Sequence, residues 1–204
     1  MRRRLALAIL LVVAARGEVL DRIAVTVGKH VITESDVIRD LRVSAFLDQQ
    51  PIDVSGPAKR KAADRLVDQY LMLQDAAGGR VPLPSPEEAA PLLAQVKSRY
   101  PNDAEYCAEL ARYRITQEEL KDHLLAGLRT LRFTDLRFRP EVQISEDELR
   151  DFYNTLAKPG SSFEESRPQI EKLLTEQREM QALDRWLGMS RTSVQILYRE
   201  QVFK

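Results

Sequence analysis

One cysteine, two histidines and one tryptophan are spread over 204 residues, and that scarcity removes several functions at once. With Cys107 alone, the chain has no intrachain disulfide and must be held by packing. Cys107 itself is expected to face a helix core as a small apolar residue, a reactive thiol being the lesser reading. His30 and His123 stand far apart, one in an expected turn and one on an expected helix, each at a surface or boundary. No His-Glu-x-x-His, no Cys/His cluster and no Gly-x-Ser-x-Gly occurs, so zinc chemistry and the common nucleophile arrangements have no support. No cofactor or metal is expected. Gly78-Gly79-Arg80 has no strand leading into it, which makes it a helix stop and not a phosphate loop. Acidic groups at Glu87-Glu88, Glu118-Glu119 and Glu146-Asp147-Glu148 fall in the first turns of expected helices. There they complement caps and macrodipole, and a paired-carboxylate acid/base site is the remote alternative.

An excess of one charge sign is also missing: Lys and Arg number 31, as do Asp and Glu. An evenly mixed surface argues against nucleic acid as the main partner. Only one long apolar run exists, Leu5 to Ala15. Arg2, Arg3 and Arg4 precede it, and Ala15-Arg16-Gly17 follows with small residues at peptidase spacing. That layout is a secretory signal whose apolar core is too short to span a bilayer comfortably. An N-terminal anchor or a buried helix is the alternative. Removing residues 1–17 takes away four arginines and no acid, so the remainder is acidic by about four charges. With no second run of membrane length, the mature chain is expected to be soluble, without stable membrane insertion.

What is present is mostly amphipathic helix. Ile23, Val25 and Val27 alternate with Arg22, Ala24 and Thr26 as in a half-buried strand. Gly28-Lys29-His30 supplies a turn and Val31-Ile32 a return strand. Thr33 with Asp36 reads as a capping box opening a helix. Ser55-Gly56-Pro57 opens a second helix, whose apolar stripe includes Ala63, Leu66, Val67, Tyr70, Leu71 and Leu73. Ser85, Thr116 and Ser145 cap further helices, the one after Thr116 running to about Arg137. "AKPGSS", residues 157–162, is a small-residue linker, beyond which 163–189 is helical. Val194, Ile196 and Tyr198 then alternate with Gln195, Leu197 and Arg199, so the chain closes on a strand. Strands at both ends with helices between predict a mainly α domain whose terminal strands pair, because a lone strand needs a partner.

Four of these pieces together resemble the SurA-like and PrsA-like periplasmic chaperones, the parvulin-type foldases. "DRIAVTVGKHVITESDV" is similar to the family's start and "RLVDQYLMLQDA" (65–76) to its second helix. "ISEDELRDFYN" (144–154) is similar to the segment before the catalytic parvulin domain. The stretch from Phe163 to Ile196 is similar to the return segment after it. The resemblance implies a helical peptide-binding domain of the SurA N-terminal, trigger-factor-like kind over residues 18–204. Residues 18–156 would form its N-terminal part, 157–162 the point of insertion, and 163–204 the returning helix and strand. The sequence departs from the family at that point. An isomerase domain of roughly a hundred residues would sit there, and only Thr155 to Ser162 is present. The resemblance therefore implies a periplasmic, ATP-independent chaperone for unfolded or extended envelope and outer-membrane-type polypeptides, without isomerase activity. A structural or assembly subunit, such as a homodimer, and a degenerate prolyl isomerase are the alternatives.

Candidate client contacts come from "LRTLRFTDLRFR" (128–139). At ~100° per residue, Leu120, Leu124, Leu128, Leu131 and Phe138 cluster on one side of the helix. Phe133 falls well outside that cluster, between Arg129 and Arg137. It is expected to present an exposed aromatic ring, unless a second helix buries it. Phe138 and the neighbouring Tyr100, Tyr106 and Tyr113 complete the candidate peptide-binding set.

Overall fold

The computed structural model describes residues 21–155, 160 and 162–204; the expected signal and most of the expected linker lie outside them. Within these residues the chain is mainly helical, with one small three-stranded antiparallel sheet. β1 (Ile23–Val27) and β2 (His30–Thr33) form a hairpin closed by Gly28-Lys29. Gly28 has φ +57°, a left-handed conformation that glycine adopts without a Cβ penalty. β3 (Ile196–Tyr198) lies on the other side of β1, with Val25 opposite Tyr198 and Val27 opposite Ile196. The two ends of the described chain therefore meet in one sheet, as their strand patterns predict.

Two details of that prediction change. The register of β1 against β2 shifts between Ile23 and Val25, so strict alternation fails. Ala24 and Val25 are both fully buried while Ile23 is 40% exposed. An extra residue on one strand of a pair has this effect, re-aiming the side chains beside it. The chain also does not close on the strand. Residues Glu200–Phe203 form a 3-10 turn that buries Val202 against the sheet and the second helix. This turn crosses the start of that helix so closely that a Cβ on Gly56 would stand 1.9 Å from the Phe203 carbonyl oxygen. Only glycine fits there.

Seven helices follow the hairpin among the described residues. α1 (Glu34–Asp48) starts at a reciprocal Thr33/Asp36 box, and α2 (Gly56–Asp75) at Ser55 with proline in its first turn. A π turn, Ala76–Arg80, ends α2 with Gly79 at φ +80°. Ser85 and Glu88 box a 3-10 turn leading into α3 (Ala90–Lys97), and Asn102 caps α4 (Asp103–Tyr113). α5 (Gln117–Phe138) opens on a Thr116/Glu119 box, α6 (Glu146–Thr155) follows, and α7 (Phe163–Ser193) opens on Ser162/Glu165. Such caps satisfy orphan backbone N–H groups and stabilise by about 1 kcal/mol each. Cys107 lies on the exposed side of α4, not in a core. That face of α4 is exposed among the described residues, because Tyr106, Leu110 and Tyr113 take the inward positions.

Three apolar clusters hold these elements. The sheet packs on α1 and α2 through Val25, Val27, Val37, Ala63 and Val67. The far end of α1 packs on α3, α4 and the start of α5 through Phe46, Tyr106, Leu110 and Leu120. The ends of α2 and α5 pack on α7 through Met72, Phe133, Phe138 and Leu183. α1, α2 and α5 thus touch pairwise and leave a space between them.

Candidate functional site

The five candidate aromatics do not share a surface. Phe133 is 0% exposed, its ring 5.0 Å from that of Trp186 and 6.0 Å from that of Phe138, which is also buried. The expected exposure of Phe133 fails because α7 covers the second side of α5. Leu131, on the side expected to be buried, is 67% exposed instead. Tyr106 and Tyr113 are buried in the other cluster around Phe46, where the Tyr113 hydroxyl donates to the Gln50 carbonyl at 3.0 Å. Tyr100 is half-buried, its ring 6.0 Å from Phe46 and 5.6 Å from Tyr106. These rings hold two cores together.

The open space lies elsewhere, between α1, α2 and α5. α1 contributes Asp36, Arg39 and Asp40; α2 contributes Leu66, Gln69, Tyr70 and Leu73; α5 contributes Glu119, Asp122, His123 and Ala126. Within each helix these positions are three and four apart, which stacks them along one face. His30, Val31 and Ile32 of β2 complete the lining. The cavity holds about 510 Å³ and is open to solvent, a size suited to side chains of a bound segment. A smaller notch of about 40 Å³ continues it between α2 and α5, where Met72 and Leu83 join Leu73 and Ala126. β2 is an edge strand, so one margin of the cavity belongs to an unpaired sheet edge.

The floor is polar and ordered. Asp40, with only 3% of its side chain exposed, pairs with Arg65 of α2. His123 brings Nδ1 to 3.5 Å from Asp40 Oδ1. Burial holds the His123 imidazole below its ordinary pKa and the Arg65 charge adds to this, while Asp40 pulls the other way. Arg39 bridges α1 and α5, reaching Asp36 at 2.8 Å and Glu119 at 3.0 Å. The Thr116 backbone N–H, followed by other hydrogen bonds including that of Arg39, holds the Glu119 carboxyl below its usual range. At the mouth the His30 ring stacks on Tyr70, with centroids 4.1 Å apart and planes 4° from parallel. Both histidines of the chain therefore meet at this one cavity.

The lining of the cavity has no serine, threonine or cysteine to be activated by His123. Among the described residues no group of three or more His, Cys, Asp or Glu side chains is placed to hold a metal ion. Nor is any described helix long and apolar enough to cross a membrane. The groove was missed in the sequence because its α1 and α5 stripes are polar, and a polar stripe ordinarily marks a solvated face. The i, i+3, i+4, i+7 spacing of Glu119, Asp122, His123 and Ala126 was the available signal. Comparison of the chain with protein-family models and with curated proteins finds no match.

Proposed function

We propose that the protein is an ATP-independent chaperone of the periplasm that holds unfolded or extended envelope polypeptides in the groove between α1, α2 and α5. One observation carries the reading. Half-buried apolar side chains, Leu66, Tyr70, Leu73 and Ala126, wall an open trough whose margin is the free edge of β2. Apolar walls take side chains without regard to order, and the unpaired edge of a strand offers backbone hydrogen bonds to any extended chain. The resemblance to SurA-like and PrsA-like chaperones supports the same reading, as does the signal layout of residues 1–17 for export. The short stretch from Thr155 to Ser162 supports the absence of isomerase activity.

The test is suppression of aggregation of two unrelated unfolded proteins, with the native chain and with Ala126→Trp. The indole would fill the groove beside Leu73 without entering any of the three cores. The native protein should protect both clients and the variant neither, with equal thermal melting. Failure to protect either client would overturn the reading. A second reading, an assembly subunit, is favoured by the exposed Leu173, Met180 and Met189 on α7. Protection of no client combined with a concentration-dependent dimer would favour that reading.

A further inference from the structure

The groove is unevenly charged. Asp36, Asp40, Glu119 and Asp122 line it against a single guanidinium, Arg39. Arg39 is shared between Asp36 and Glu119, and Asp40 already has Arg65. Asp122 is exposed and, among the described residues, forms no ion pair. His123 adds no positive charge near neutral pH, since burial disfavours its protonated form. A trough with apolar walls focuses the field of such an excess of carboxylates and raises the local concentration of cations.

The apolar part lies one helical turn further along α5. Ala126 follows Asp122 by four residues, a rise of about 6 Å, and opens on the notch lined by Gln69, Met72, Leu73, Leu83, Arg129 and Thr130, where Arg129 donates to the Pro84 carbonyl at 3.4 Å. In an extended chain, side chains two residues apart point the same way and are separated by about 6.8 Å. The two spacings match. Under the proposed polypeptide-holding function, apolar walls and a free strand edge alone would favour no one segment over another. Resting on that reading, we infer that the groove selects extended segments in which a lysine or arginine precedes or follows an apolar residue by two positions. The cation stands at Asp122 and Glu119, its stem along Leu66 and Tyr70, and the apolar side chain enters at Leu73 and Ala126.

Three fluorescein-labelled nine-residue peptides test this by anisotropy at low salt. All carry leucine at the same positions; two residues from each leucine stands lysine in the first, glutamine in the second and glutamate in the third. The lysine peptide should bind about two- to fivefold more tightly than the glutamine peptide for each cation seated, and the glutamate peptide least tightly. The preference should collapse in 0.5 M salt, where the screening length falls to a few ångströms. Asp122→Asn should narrow the gap between the lysine and glutamine peptides. Equal affinity for all three would overturn the charge selectivity while leaving the groove as a polypeptide site. No binding of any peptide would overturn the groove reading itself. A lysine preference untouched by Asp122→Asn would overturn the assignment of the cation to Asp122.

Discussion

Asp40 enters the fold as a carboxylate almost wholly out of water, and its neighbours decide what that burial costs. Arg65 reaches it from α2 with its own side chain 36% exposed, so the cation stays partly hydrated while the anion is compensated. His123 completes the cluster from α5, and its proton affinity makes the junction of the three helices sensitive to acid. Burial sets its folded pKa below the unfolded value of about 6.5. In the window between the two values the unfolded chain binds the proton and the folded chain does not. Stability is therefore unaffected by His123 well above that pH and declines as pH falls through the window. Below the folded pKa the loss is complete and constant. Thermal melting at pH 7.5 and 5.5 should show a smaller difference for His123→Gln than for the native chain. An unchanged difference would place the acid sensitivity on other groups.

α5 carries two buried faces because it meets different neighbours along its length. Leu120 near its start packs toward α1, α3 and α4, and Phe133 with Phe138 near its end toward α7. Truncating Phe133 would open a cavity between Phe138 and Trp186, with little room for the surrounding rings to collapse. Phe133→Ala should cost about 3–5 kcal/mol, measured by denaturant unfolding, whereas an exposed aromatic would cost within about 0.5 kcal/mol. At this scale the sequence was legible wherever local chemistry decides. Thr33, Ser55, Ser85 and Thr116 cap where capping chemistry places them, and the hairpin turns at Gly28. It was illegible wherever a distant element decides. Phe133 is buried by a helix that begins thirty residues later, Ile23 is turned outward by a shift in pairing with β2, and the groove arises from three helices that no local pattern joins.

The first and last described segments close the molecule on itself, and much of what positions the groove depends on that closure. β2, which borders the groove, is held in place by β1, and β1 is covered on its other side by β3. Backbone bonds continue beyond the strand pairing: Gly28 N–H donates to Gln195 O at 2.9 Å and Arg199 N–H to Ala24 O at 2.8 Å. Side chains tie the same region to α2. Arg191 of α7 reaches Asp68 at 2.8 Å, the Tyr198 hydroxyl donates to Asp64, and Lys59 donates to the Val202 carbonyl at 3.2 Å. Deleting Ser193–Lys204 would remove Val202 from the core and uncover Val25 and Val27. Burial of each such side chain contributes roughly 1.5–3 kcal/mol, against a total near 5–15 kcal/mol for a domain of ordinary stability. β1 would also gain a free edge able to pair with other chains. The truncated protein should therefore lose its cooperative melt, monitored by circular dichroism, and aggregate at concentrations where the full chain does not. A truncation that melts as sharply as the parent, at the same temperature, would show that the sheet and the groove beside it stand without the returning strand.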